Sequence, residues 1–162
     1  MDIILDLKLL ALLTVANGTP VIAYNILRHR FSYPVDAGLT LPDGQRFFGP
    51  SKTYRGILLS LPVTMLAAWA IGLEWQTGLL IAAMAMIGDL FSSFLKRRLK
   101  LPASSMAIGI DQLPESLFPL LACTGIFAFS AVDVAAITVC FFAGELLISR
   151  LLYKIHLRER PY

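Results

Sequence analysis

Five apolar stretches, each about as long as a helix that crosses a membrane, dominate this sequence. A helix needs roughly 20 mostly apolar residues to cross the hydrocarbon core of a bilayer. The whole chain of 162 residues is 57% hydrophobic and only 15% charged, whereas soluble domains carry about 25% charged residues. We therefore predict an all-α integral membrane protein, a bundle of about five transmembrane helices in a single domain over residues 1–162. The predicted spans are residues 3–26, 57–73, 78–95, 113–131 and 134–152.

Basic residues are distributed unevenly between the two sides of this bundle. Of the fourteen Lys and Arg residues, only Lys8 lies away from the first connection, the third connection and the C-terminal segment that begins at Arg150, near the end of the last span. The positive-inside rule places that basic side in the cytoplasm. We expect a multi-pass protein of the cytoplasmic membrane, with the N-terminus outside, the C-terminus inside and the polar loops facing the cytoplasm.

Two further features agree with a retained membrane bundle. The first stretch begins with Asp2 and Asp6 and has no basic segment before it, so we expect a retained span rather than a signal peptide. Cys123 and Cys140 lie inside apolar stretches, where cysteine is expected to pack as a small apolar residue. A secreted disulfide scaffold is therefore excluded.

Polar residues stand on one face at the end of the third span. Asp89, Ser93, Lys96 and Arg97 are spaced at i, i+4, i+7 and i+8, which puts them on one side of a helix. An ionisable residue inside a span is costly and therefore suggests function. The alternatives are Lys and Arg side chains that extend to the membrane surface at a helix end, and structural pairing of Asp89 with an arginine.

Two more carboxylates follow at the start of the fourth span. Asp111 and Glu115 are four residues apart, so both can face the same space, although Asp111 could also be a simple helix cap. With Asp89 they form a set of three carboxylates near one membrane face. Magnesium prefers oxygen ligands and is usually held by one or two carboxylates together with substrate phosphates. We therefore predict a magnesium site.

The first cytoplasmic connection is unusually long, near thirty residues, which is typical of a functional loop. Its glycines, aromatics and alternating charges argue against disorder. The segment Gly49–Thr53 resembles a phosphate-binding loop only loosely, because the glycine spacing is missing. We interpret the connection as a capping loop in which Lys52 and Arg55 neutralise phosphates at the site entrance.

Three polar features of the remaining sequence are less specific. Pro20 is expected to interrupt the first helix, and Asn17 either serves this kink or reaches the polar pocket. Glu145 is expected to pair with a basic residue in the bundle. Asp133 is expected in a solvated loop.

Several separated motifs resemble the membrane CTP:phosphatidate cytidylyltransferases, and more closely their CDP-archaeol synthase branch. Ser93–Arg97 followed by Asp111–Leu113 is similar to the signature Ser-x-apolar-Lys-Arg, loop, Asp-Arg-apolar-Asp. Pro50–Gly56 is similar to the upstream Ser-Pro-x-Lys-Thr-x-Glu-Gly element. The Ala16–Pro20 opening and the Asp-Gly-x-Arg-x-x-Gly loop that begins at Asp43 are closer to the archaeol branch.

The sequence departs from the larger family at three of these positions. Gln112 stands where that family has arginine, Pro114 replaces the last aspartate with Glu115 one place later, and Arg55 replaces a glutamate. The long Pro-Gly-His-Gly-Gly run is also missing. The archaeol branch tolerates the missing arginine and the shorter loop, which favours that branch.

The resemblance implies an enzyme that transfers a cytidylyl group from CTP to a membrane lipid phosphate, giving a CDP-activated lipid and pyrophosphate. The lipid is an ether-linked isoprenoid glycerol phosphate or, as the second choice, phosphatidic acid. The expected partners are CTP, the lipid phosphate and the bilayer, with a homodimer as a further possibility and no nucleic acid. The implied site consists of catalytic Lys52, Arg55, Ser93, Lys96 and Arg97, cofactor-binding Asn17, Asp43, Arg46 and Thr53, and magnesium ligands Asp89, Asp111 and Glu115.

Two other classes of membrane protein are less consistent with the sequence. A CDP-alcohol phosphatidyltransferase needs further aspartates at helical spacing, and Asp43–Arg46 is only a fragment of its motif. A small transporter or non-catalytic scaffold is the main alternative. A transporter would favour ionisable groups near the bilayer midplane, whereas the polar residues here gather at one interface.

Overall fold

The computed structural model describes residues 2–103, 105 and 107–154, except the side chains of Leu152 and Tyr153. These residues form an all-α protein, which confirms the predicted fold class. Two isolated antiparallel bridges are the only β pairing within the described part. The basic residues Arg158 and Arg160 lie outside it. The helices are α1 (Ile3–Leu27), α2 (Tyr54–Ala70), α3 (Trp75–Arg98), α4 (Gln112–Cys123) and α5 (Ala131–Lys154).

Each predicted apolar stretch overlaps one helix, but α4 ends eight residues earlier than the predicted span, at Cys123 instead of 131. A turn follows at once, because the amides of Ile126 and Phe127 both donate to the carbonyl of Cys123 (3.0 and 2.9 Å). The next helix begins at Ala131, where Ser130 and Asp133 cap each other reciprocally. Asp133 lies in the first turn of α5 and is buried. The expectation that it lies in a solvated loop was wrong.

Three helices are long and apolar enough to cross a membrane within the described residues: α1, α3 and the Ala131–Leu151 part of α5. The 12 residues of α4 make a helix of about 18 Å, since each residue adds about 1.5 Å. That is well short of a hydrocarbon core of about 30 Å. The count of five spans stays a prediction.

The expected interruption of α1 does not occur, because the helix runs continuously through Pro20. Proline has no amide hydrogen, so the carbonyl four residues before it loses its usual partner. That carbonyl belongs to Ala16, and the buried hydroxyl of Ser60 on α2 donates to it at 2.8 Å. Gly56 completes the contact, because a β-carbon there would stand 3.1 Å from the Pro20 side chain. A neighbouring helix therefore supplies the missing hydrogen bond.

The core lies where α1, α2 and α3 pack on one another, with α4 packed against α3 and α5 against α1 and α4. Consecutive helices alternate in direction, so one end of the bundle contains the end of α3 and the starts of α2 and α4. At the opposite end, the Lys8 ammonium reaches the turn between α2 and α3, 3.8 Å from where a β-carbon of Gly72 would lie. The fully buried large side chains of the core include Leu9, Leu12, Leu13, Ile81 and Leu120.

The long connection between α1 and α2 is folded. Pro34 and Thr53 form one antiparallel bridge, and Thr40 and Arg46 form a second bridge inside it. The Val35 amide donates to the carbonyl of Lys52 at 2.8 Å. The two ends of the loop are thus joined directly beside Lys52, which stands two residues before α2.

Candidate active site

The loop and the third helix meet in an ion pair between Lys52 and Asp89. The lysine ammonium lies 2.5 Å from the carboxylate of Asp89, and each side chain is about four-fifths buried. Asp89 stands on α3 more than two turns before the helix ends at Arg98. Because a lone charge in such a place is costly, the pair explains how both ionised groups are accommodated.

Glu115 on α4 joins this pair. It lies within hydrogen-bonding reach of Asp89 and close enough to Lys52 to interact with its charge. Burial alone would lower the pKa of Lys52, but the negative charges of Asp89, Glu115 and Asp111 outweigh burial and raise the pKa. Lys52 therefore stays charged among three carboxylates. These are the three that the sequence predicted as magnesium ligands.

A glycine explains why the carboxylates of α3 and α4 can approach. A β-carbon on Gly88 would stand 2.6 Å from the carbonyl carbon of Pro114 and 2.9 Å from the amide nitrogen of Glu115. No side chain fits there, so the two helix backbones touch one residue before Asp89. The glycine directly before Asp89 was a usable sequence signal that pattern reasoning missed.

Lys96 and Asp111 form a second buried ion pair, with 2.8 Å between ammonium and carboxylate. Lys96 also donates to the carbonyl of Ser105, and Asp111 accepts the amide of Ala107. The pair therefore fastens the connection between α3 and α4. The sequence assigned these residues separately, one to phosphate and one to metal, whereas the structure joins them.

The other predicted catalytic residues on α3 are buried near this cluster. Ser93 is 3% exposed and Arg97 is 6% exposed. The Arg97 guanidinium donates to the carbonyl of Pro102 at 2.7 Å, and its side chain lies beside Gly49 of the first loop. Arg97 thus stands between the two polar connections.

Arg55 contacts the backbone at the end of α1. Its buried guanidinium donates to the backbone carbonyls of Arg28 and Arg30 and so closes the end of α1. In the structure this cation is used by the protein itself. Its predicted contact with phosphate stays a prediction.

The four residues predicted to bind a cofactor are dispersed. The side-chain amide of Asn17 donates to the Leu13 carbonyl of its own helix at 3.0 Å, and Thr53 caps α2 through the amide of Gly56. Asp43 pairs with Arg98 on α3 at 2.6 Å. Arg46 pairs with the buried carboxylate of Asp36.

Asp36, the partner of Arg46, and Arg98, the partner of Asp43, were not selected by the sequence analysis. The Arg98 guanidinium also donates to the carbonyl of Arg46 at 2.7 Å and lies over the Phe94 ring, 5.3 Å from its centre. Neither residue type by itself signals a long-range contact.

The acidic cluster suits a magnesium ion that is held by the protein and by the phosphates of a substrate together. No group of three Asp, Glu, His or Cys side chains in the described ranges is arranged to hold a metal by itself. Asp89 and Glu115 nevertheless bring two carboxylates together, and magnesium is usually held by one or two carboxylates plus phosphate oxygens and water. The donor set therefore suits a cation that arrives with a phosphorylated ligand.

Membrane-length helices that enclose a cluster of lysines and carboxylates at one end define an integral membrane protein with a polar site built from helix ends and loops. Residues 65–162 match a family described as "CarS-like: CDP-archaeol synthase". The chain belongs to the CDP-archaeol synthase family.

Individual relatives agree with this assignment. The CDP-archaeol synthase of Pyrobaculum islandicum is 30% identical over 91% of this chain and 92% of its own length. The CDP-archaeol synthase of Pyrococcus furiosus is 39% identical over 60% of each chain. A solved structure, described as an intramembrane enzyme for archaeal membrane lipids biosynthesis, superposes with a TM-score of 0.74 at 30% identity. It covers 87% of this chain and 90% of its own.

Proposed function

We propose that this protein transfers a cytidylyl group from CTP to a membrane lipid phosphate, giving a CDP-activated lipid and pyrophosphate. The observation that carries the proposal is the cluster of Lys52, Asp89 and Glu115 at one end of a membrane bundle, in a member of the CDP-archaeol synthase family. The relatives' name indicates an archaeol-type ether lipid as the acceptor, and phosphatidic acid is the second choice.

The chemistry joins two anions. A phosphate oxygen of the lipid attacks the α-phosphorus of CTP, a new phosphorus–oxygen bond forms, and the bond to the β-phosphate breaks to release pyrophosphate. The attacking oxygen is already negative, so no strong base is needed. The barrier comes from repulsion between like charges and from charge that builds up on the leaving group. Positioned cations lower this barrier.

The residues of the site suit these requirements. Lys52 keeps its positive charge because three neighbouring carboxylates stabilise it. Asp89 and Glu115, with Asp111 as the third predicted ligand, would hold magnesium together with the CTP phosphates. Bound there, magnesium would offset charge on the triphosphate and the departing pyrophosphate. Lys96 and Arg97 lie next to the cluster, where they can attract a second phosphate.

The location of the site suits one soluble and one membrane-bound substrate. The cluster lies where the polar connections meet the helix ends, so CTP can enter from water while the lipid tails stay in the bilayer. We place this end in the cytoplasm, with the N-terminus outside and the C-terminus inside, because the basic residues gather there.

The reaction is tested by pyrophosphate release from detergent-purified protein given CTP, magnesium and a panel of lipid phosphates. The panel contains an unsaturated archaeol-type ether lipid phosphate, phosphatidic acid and a lipid-free control. Release that needs CTP, magnesium and lipid supports the proposal, and the better lipid identifies the acceptor. Absence of release with any lipid, from protein shown to be folded, contradicts it.

Orientation is tested separately by thiol labelling. Single cysteines at exposed Leu39 and exposed Glu74 are introduced after Cys123 and Cys140 have been replaced by alanine. A membrane-impermeant reagent should label position 74 in intact cells and position 39 only after lysis. The reverse pattern would invert the topology. The mass of the protein in detergent tests the predicted homodimer.

A further inference from the structure

We propose that Asp36 is a positioning residue, whose buried carboxylate holds the first loop in the arrangement that presents Lys52 to Asp89. Within the described residues, Asp36 makes no hydrogen bond or ion pair with the side chain of Lys52 or of Asp89, which pair with each other. Any effect on the reaction must therefore pass through the loop. For its activity measurements, the inference rests on the proposed cytidylyl transfer.

The carboxylate of Asp36 is the acceptor on which the loop is built. Its side chain has no exposed surface. One oxygen accepts the amides of Phe48 and Gly49, at 3.2 and 2.8 Å, and the other accepts the amide of Gly38 at 3.1 Å. Arg46 donates to both oxygens from its guanidinium.

The segments that Asp36 joins hold the backbone of Lys52 from two sides. The residue before it, Val35, donates its amide to the Lys52 carbonyl at 2.8 Å. On the other side, the carbonyl of Gly49 accepts the amide of Lys52 at 3.4 Å. Asp36 is thus one residue away from one anchor of Lys52 and in direct contact with the other.

An amide in place of this carboxylate would not keep the arrangement. The asparagine side chain offers one accepting oxygen and one NH₂ group. In either orientation the NH₂ group would face a donor nitrogen of Arg46. It would also face the amides of residues 48 and 49 or the amide of Gly38, which are donors as well. Arg46 would also lose the charge that balances its own. The loop should shift, and a displacement of about 1 Å can cost about 100-fold in rate.

The test is a double-mutant cycle with Asp36→Asn and Lys52→Met, measuring kcat and KM for CTP. We expect Asp36→Asn to lower kcat/KM by about 10- to 100-fold and Lys52→Met to lower it by about 100- to 1,000-fold. Both variants should divide the loss between kcat and KM in the same proportion. The double variant should equal Lys52→Met alone, because Asp36 then has no lysine left to position. Effects that multiply in the double variant would show a separate role and overturn the inference.

A second measurement does not depend on activity. Amine labelling followed by mass spectrometry compares Lys52 with the exposed Lys100 in the same molecule. We expect Lys52 to react slowly in the wild type and several-fold faster in Asp36→Asn, with no change in Asp2→Asn, the same substitution at a capping carboxylate of α1. Equal Lys52 labelling in wild type and Asp36→Asn would overturn the inference.

These measurements separate the two proposals. The wild type could show no cytidylyl transfer while Lys52 is labelled faster in Asp36→Asn than in the wild type. That result contradicts the proposed function and supports the positioning role. If Asp36→Asn does not fold, Arg46→Lys replaces it in the same experiments, since lysine keeps the charge but cannot donate from two nitrogens in a fixed fork. The same outcomes then decide the inference.

Discussion

Gly88 of α3 lies directly against the peptide bond between Pro114 and Glu115 of α4. A β-carbon on Gly88 would come within 2.6 Å of the Pro114 carbonyl carbon. Carbon atoms that are not bonded prefer separations of about 3.5–4.0 Å. The absence of a side chain therefore sets how closely the two helices pack, and this distance places Asp89 beside Glu115.

Gly88→Ala should push α3 and α4 apart. We expect a loss of about 1–3 kcal/mol in the free energy of unfolding, typical of overpacking, together with a clear loss of activity. Gly144→Ala on α5 is the matched control, because nothing lies within 4 Å of a β-carbon there. Thermal and denaturant unfolding in detergent measure the effect. A Gly88→Ala protein as stable and active as Gly144→Ala would refute the packing argument.

Lys52→Met and Asp89→Asn should each reduce cytidylyl transfer by about 100- to 1,000-fold, as expected for groups that stabilise developing charge. Lys8→Met serves as a control of the same type, because Lys8 lies at the opposite end of the bundle. Initial rates of pyrophosphate release measure the effect. If folded Lys52→Met and Asp89→Asn protein kept the rate of Lys8→Met, this cluster could not be the active site.

Magnesium dependence tests the acidic residues separately from the lysine. Glu115→Gln removes one carboxylate that would share the metal with the CTP phosphates. We expect the magnesium concentration for half-maximal activity to rise at least about 10-fold. That is the smaller loss of metal affinity typical when a group that only supports the metal ligands is removed. Lys52→Met should change this concentration much less. An unchanged magnesium requirement in Glu115→Gln would remove Glu115 from the metal site.

Arg55→Gln distinguishes a structural from a substrate-binding arginine. The Arg55 guanidinium donates to two carbonyls at the end of α1. Hydrogen bonds from a charged group contribute about 1.5–3 kcal/mol. We therefore expect a lower melting temperature in Arg55→Gln and little change in the exposed control Arg30→Gln. A normal melting temperature combined with a raised KM for CTP would instead support direct phosphate binding.

The first loop should resist acid to an unusual degree. Burial alone would raise the pKa of Asp36, but hydrogen bonds from Arg46, Gly49, Gly38 and Phe48 lower the pKa to about 2. A depressed carboxylate pKa stabilises the folded state above the ordinary pKa near 3.9, and this contribution is lost as pH falls through about 2. The expected contribution is about 2 kcal/mol.

Unfolding of wild type and Asp36→Asn between pH 7 and pH 2 measures this contribution. The difference in unfolding free energy should stay constant down to about pH 4 and then shrink. A difference that stays unchanged between pH 4 and pH 2, or that grows as the pH falls, would mean that these donors do not lower the pKa of Asp36.

Much of the architecture follows from the sequence alone. Long apolar stretches can be buried in lipid only as helices that satisfy their own backbone hydrogen bonds, so the fold class follows from hydropathy. The spacing of Asp89, Lys96 and Arg97 places them on one helical face, and the short distance from Asp111 to Glu115 predicts a common space. These are local properties of a helix, which a single sequence contains in full.

Only the tertiary structure decided which of these groups meet. Lys52 and Asp89 are 37 residues apart, and nothing local in the sequence predicts their pairing. Ser60 replaces the hydrogen bond that Pro20 removes, which kept α1 continuous against expectation. Arg55 donates to carbonyls at the end of α1, and Asp36 accepts amides of the first loop. Each charged group binds the partners that lie near it once the chain has packed. Helix periodicity is local, whereas ion pairing depends on contacts that exist only after the helices have packed.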